Sequence, residues 1–128
     1  MKALYSIALI GALAAGEANG ACAYPNPPDS FPNGATATRD EMLAGKKKVV
    51  DFDGLINAYL DCLKLETDAA IVKSAELTAA QKKQNEAIQK MADQKHNAAV
   101  EADAAVAARY NEQTRAYNAR QKAAKDKK

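Results

Sequence analysis

Between residues 42 and 63 the apolar side chains keep a helical beat. Met42, Val49, Phe52, Ile56, Tyr59 and Leu63 follow at intervals of 7, 3, 4, 3 and 4, which sets them on one face of an α-helix. Leu43, Val50, Leu55 and Leu60 widen the stripe. Spacing of this kind suits packing against a second helix at a shallow angle. The start is marked by Thr38-Arg39-Asp40-Glu41, a capping box in which residues 38 and 41 satisfy each other's backbone N–H groups. The pattern predicts a first helix over about 39–74. Gly45 and Gly54 either weaken it locally or admit a close approach by another segment. Lys46-Lys47-Lys48 with Asp51 and Asp53 reads as its solvated face.

A second helical stretch follows with a thinner pattern. From Leu77 onward the chain is rich in Ala, Gln, Lys and Glu, and no Gly or Pro occurs after residue 55. Leu77, Ile88, Met91, Ala99, Ala102, Val106, Tyr110 and Tyr117 mark a seam made largely of alanine. Thr67-Asp68 and Thr78-Ala79-Ala80-Gln81 are two places where it can begin, the latter a second capping box. One continuous helix from residue 39 is the competing arrangement. A hairpin covers the first stripe within the same chain, so the expected architecture is all-α. It comprises an extended arm (21–38), helix one (about 39–74) and an antiparallel, coiled-coil-like helix two (about 78–125). Helix two would be some 70 Å long at about 1.5 Å per residue, so its C-terminal end is expected to project.

Upstream of the helices the pattern changes twice. Lys2 precedes an apolar run from Ala3 to Ala15, then small residues. That is the anatomy of a cleavable export leader, and the run is shorter than the roughly 20 residues a bilayer span requires. Small residues at Ala18-Asn19-Gly20 allow cleavage before Ala21, while Ala21-Cys22-Ala23 allows cleavage before Tyr24. A lipid anchor at Cys22 is a third outcome, although Asn19 stands where a lipoprotein leader carries an apolar residue. Residues 24–34 then hold all four prolines and end in Asn33-Gly34. They predict an extended arm with a turn, anchored by Tyr24 and Phe31.

Two cysteines, Cys22 and Cys62, complete this picture. In an exported chain an even count argues for a disulfide. Cys62 would lie roughly 35 Å up the first helix. Sixteen steps of arm from Cys22 to Thr38, at about 3.1 Å each, reach roughly 50 Å. The arm can therefore run back along helix one and be pinned there. A buried thiol or a bridge between chains is the alternative, and either follows if Cys22 leaves with the leader.

Composition matters because the core is thin. Of 128 residues 48% are hydrophobic, but much of that is alanine, with two Phe, five Tyr and no Trp. A domain this small needs a staple or a partner to supplement such a core.

Candidate chemistry is sparse. His96 is the single histidine and sits on a polar helical face without ligand-spaced neighbours. Carboxylates such as Asp51/Asp53 and Glu101/Asp103 are two apart and point to different helix faces. No nucleophile elbow or phosphate loop is present. Neither an enzyme nor a resident metal, cofactor or small-molecule substrate is expected.

Charge is distributed unevenly. Residues 21–108 carry 10 basic and 13 acidic side chains, whereas residues 109–128 carry seven basic against two acidic. Arg109, Arg115, Arg120, Lys122, Lys125, Lys127 and Lys128, interleaved with Tyr110 and Tyr117, form a candidate surface for an anionic polymer, nucleic acid or membrane. The plain alternative is a solvated helix end whose cations complement the C-terminal dipole.

Residues 22–63 resemble a group of small exported proteobacterial proteins without assigned function. The similarity lies in the Cys followed by prolines, Pro32-Asn33-Gly34-Ala35-Thr36-Ala37-Thr38, Glu41-Met42-Leu43, and Ala58-Tyr59-Leu60-Asp61-Cys62-Leu63. It covers about a third of the chain and implies residence in the envelope, with no catalytic residues to carry over. Two expectations result. One is a noncatalytic periplasmic structural or interaction protein that meets itself or another envelope protein. The other is a cationic binding module acting through its C-terminal helix.

Overall fold

The computed structural model describes residues 21–127. The expected leader over 1–20, its cleavage residues before Ala21, and Lys128 lie outside them. Two helices make up the fold, α1 (Arg39–Ala70) and α2 (Ala79–Lys125), packed antiparallel as a hairpin.

Both helices begin where the capping boxes place them. Thr38 Oγ1 accepts from the Glu41 N–H, and the Glu41 carboxylate accepts from the Thr38 N–H. Thr78 and Gln81 repeat the arrangement at α2. Those bonds hold the Glu41 carboxyl below the usual carboxylate range, first through the Thr38 backbone and then through its hydroxyl.

The end of α1 differs from expectation. It stops at Ala70 rather than near residue 74. Asn85 of α2 grips the backbone of Val72 from both sides, Oδ1 accepting from its N–H at 3.0 Å and Nδ2 donating to its C=O at 3.0 Å. A residue held in this way leaves the helical ladder, so 71–78 becomes the hairpin loop.

The core is a single seam. Phe52, Ile56, Tyr59 and Leu63 of α1 are buried against Ala99 and Val106 of α2, with Cys22, Phe31, Val49, Leu60 and Ala102 packed around them. Ala99 is fully buried, which shows what the alanine-rich seam does: short side chains let the two backbones approach. The wider stripe is corrected by the structure. Leu43, Val50 and Leu55 are more than half exposed; Leu43 and Val50 fall opposite the core stripe, whose seven-residue rhythm runs 42, 49, 56, 63.

The arm lies along the hairpin as a third, extended strand of chain, antiparallel to α1. Cys22 is bonded to Cys62 with a Cα–Cα distance of 5.8 Å. Tyr24 meets Tyr59 edge to face at 5.1 Å, and Phe31 meets Tyr110 at 5.7 Å. Near its end the arm passes so close to both helices that only glycine fits. A Cβ on Gly34 would collide with the Gln113 carbonyl, and one on Gly45 would stand 2.8 Å from Pro32 Cδ and 3.0 Å from the Tyr110 ring. Gly54, by contrast, faces open space.

Candidate functional site

The basic C-terminal cluster is the one group of candidate site residues the sequence nominates, and the structure divides it. Arg109 donates from its two terminal nitrogens to the carbonyls of Pro28 and Asp29, at 3.2 and 3.0 Å, while stacking over the Phe31 ring at 5.3 Å. Arg120 donates to the carbonyls of Ala35 and Ala37 and lies 5.2 Å from the Tyr117 ring. Both arginines therefore clasp the arm. Lys48 joins them from α1, donating to Ser30 C=O at 3.1 Å.

The chemistry of this clasp follows from the arm's composition. Proline has no N–H and an extended chain makes no internal ladder, so arm carbonyls face outward as acceptors. A guanidinium offers a planar fork of donors that takes two such carbonyls at once. The return bonds come from α2 and the turn: Gln113 Oε1 accepts from the Gly34 N–H at 2.9 Å, and Tyr24 Oη donates to Ala98 C=O. Tyr110 Oη ties the helices directly by donating to Met42 C=O at 2.8 Å.

Arg115, Lys122, Lys125 and Lys127 are exposed and take no part in the clasp. Lys122 and Lys125 occupy the last turn of α2, where cations complement the carbonyl end of the helix. The anionic-surface candidates thus separate into two arm-binding arginines and four solvent-facing cations.

Opposite the arm the hairpin is less accommodating. Asp103 of α2 faces Asp53 of α1, and its carboxyl is pushed above the usual range by burial first and then by the Asp53 charge. Asn57 donates to Asp53 at 3.3 Å. Lys47 and Asp51 form an exposed i,i+4 pair, of a kind that adds little to stability.

Toward the loop the seam opens on both sides, beyond the reach of the arm. One groove is lined by Leu60, Leu63, Thr67, Ala92, Asp93 and His96. The other, with a volume of about 300 Å³, is more apolar and is lined by Leu63, Ala70, Ala87, Ile88 and Met91, with Glu66 and Lys95 at its edge. Met91 is 59% exposed. His96 is exposed on the rim of the first groove. Among the described residues no three His, Cys, Asp or Glu side chains converge in a metal-binding arrangement, and no helix is long and apolar enough to cross a membrane. The paired cysteines are compatible with an oxidising compartment.

No family model, no curated protein and no solved structure matches this chain.

Proposed function

We propose that the chain is a noncatalytic periplasmic interaction protein whose pinned hairpin offers its loop end to another envelope protein or to a second copy of itself. The observation that carries this reading is the asymmetry of cover. Disulfide, arginine clasp and aromatic contacts secure one face from Cys22 to the Gly34 turn. The apolar groove around Ile88 and Met91 is left without any such cover. An apolar recess framed by a rigidly held hairpin is a common form of protein-docking surface.

A photo-crosslinking side chain at position 91, introduced into the protein as exported by living cells, tests it. A specific adduct is expected at 91 and not at position 43, which is exposed on the far side of α1. Doubling of the mass identifies a second copy, and any other discrete mass a foreign partner. Equal labelling at both positions, or none at 91, sinks the reading.

The exposed Arg115, Lys122, Lys125 and Lys127 favour a second reading, attachment to anionic envelope polymers, nucleic acid or lipid headgroups. Removing residues 109–128 would not test it cleanly, because Arg109, Gln113 and Arg120 hold the arm. Changing the four exposed cations to alanine leaves the clasp intact. That variant is expected to lose at least tenfold in low-salt affinity for anionic vesicles, given the steep salt dependence of multi-cation contacts. Unchanged binding would count against this reading.

A further inference from the structure

Glu66 stands out among the polar groups of the hairpin because its Oε2 is buried without a hydrogen-bond partner. A carboxylate oxygen shut away from water in this manner costs free energy until a donor meets it. Its position says which donor can arrive. Glu66 is one helical turn beyond Cys62, about 6 Å along the axis and on the same side of α1. Side chains on a helix lean toward its N-terminus, so the carboxylate leans back toward Cys62. Cys22 is fixed to Cys62. The arm, followed backwards from Gly34 past Phe31 and Tyr24 to Cys22, heads along α1 in the direction of Glu66. The residue before Cys22 is Ala21, one Cα step of about 3.8 Å further on.

We propose that the chain is cleaved between Gly20 and Ala21, and that the α-ammonium group so created on Ala21 is the partner of Glu66. The inference rests on the export reading above. In the reaction, water adds across the Gly20–Ala21 amide under an export-pathway peptidase. Gly20 departs with a new carboxylate, and Ala21 keeps the nitrogen as an amine that takes up a proton near neutral pH. Before cleavage the Ala21 nitrogen is a neutral amide with a single hydrogen. Afterwards it is a cation with three donors, suited to a charge-assisted bond. The competing cleavage before Tyr24 would discard Cys22, and with it the bridge that aligns Tyr24 on Tyr59. Processing at Ala21 therefore keeps the staple and supplies a cation beside Glu66.

Two measurements test this together. The intact mass of the exported, non-reduced protein is expected to begin at Ala21 and to lie two hydrogens below the reduced form. A mass beginning at Tyr24 overturns the cleavage site while leaving export standing; an exported fraction containing only the full-length chain overturns export as well. The second measurement compares Glu66→Gln in two oxidised proteins, one beginning at Ala21 and one retaining Asn19-Gly20 ahead of it. The substitution is expected to lower the melting temperature by about 2–5 °C in the first, as for a partly buried charge pair in a domain of this size, and by less than half of that in the second. Equal loss in both overturns the pairing. If Lys95→Gln then abolishes the effect of Glu66→Gln, the carboxylate belongs to Lys95 across the groove instead.

Discussion

Cys62→Ser is expected to lower the unfolding free energy by about 4 kcal/mol. The bridge joins residues 40 apart in sequence, and closing a loop of that size removes about this much chain entropy from the unfolded ensemble. The loss falls on a protein with little else to draw on: beyond the bridge, one seam of nine buried apolar residues holds the described chain together. The effect will be uneven along the arm. Tyr24 sits two residues from the bridge and depends on it for alignment with Tyr59. Phe31 and the Gly34 turn retain Arg109, Gln113 and Arg120. Chemical denaturation should show the drop in stability, and hydrogen exchange should show protection lost at residues 22–26 before 33–37. A change below about 1 kcal/mol would mean that the clasp alone secures the arm.

Phe52→Ala is the second large effect, about 3–5 kcal/mol, the range for deleting a buried aromatic from a core that cannot collapse around the gap. Phe52 is 2% exposed and is the largest fully enclosed side chain described. Its neighbours in the cluster across the seam are Ala99 and Val106. Helices already spaced by alanine have no long side chains to swing into the vacancy. Phe52→Leu should cost less than half as much, since it keeps most of the volume. Guanidinium denaturation of both variants decides the matter, and a smaller loss for alanine than for leucine would refute the packing argument. Typical domains are stable by about 5–15 kcal/mol in total, so Phe52→Ala combined with Cys62→Ser should fail to fold.

The parts of the fold legible in the sequence are those written in local chemistry. Two capping boxes place the starts of α1 and α2, because N-cap and N3 residues act only three positions apart. The run 42, 49, 52, 56, 59, 63 lies on the packed face of α1, Val49 at its edge, because periodicity alone sets a helix face. The even cysteine count and the length of the arm point to the bridge that forms.

What escapes the sequence is carried by groups without a local signature. The end of α1 is decided by Asn85, thirteen residues from Val72. Leu43 and Val50 have the right residue type but fall on the wrong side of the helix. Arg109 and Arg120 look like free cations in a charge count, since the acceptors they take are backbone carbonyls that every residue possesses. A useful signal was present nonetheless: a proline-rich strand carries acceptors in excess of donors, and calls for donors elsewhere in the chain. The open groove near Met91 was equally hidden, because the side chains lining it belong to the same seam that is covered further along.

The clasp between the Pro28–Ala37 segment and the far end of α2 joins residues about 80 apart. A ribosome delivers those two pieces at opposite ends of synthesis. Cys22 and Cys62 are both present once half the chain exists, so the staple can close while α2 is still unmade. The arm is then fastened at one end and idle along the rest of its length. It completes its contacts only when Arg109, Gln113 and Arg120 emerge. For most of its assembly the young chain thus displays Phe31 and the prolines to its surroundings, and its last few turns of helix act as the closing latch.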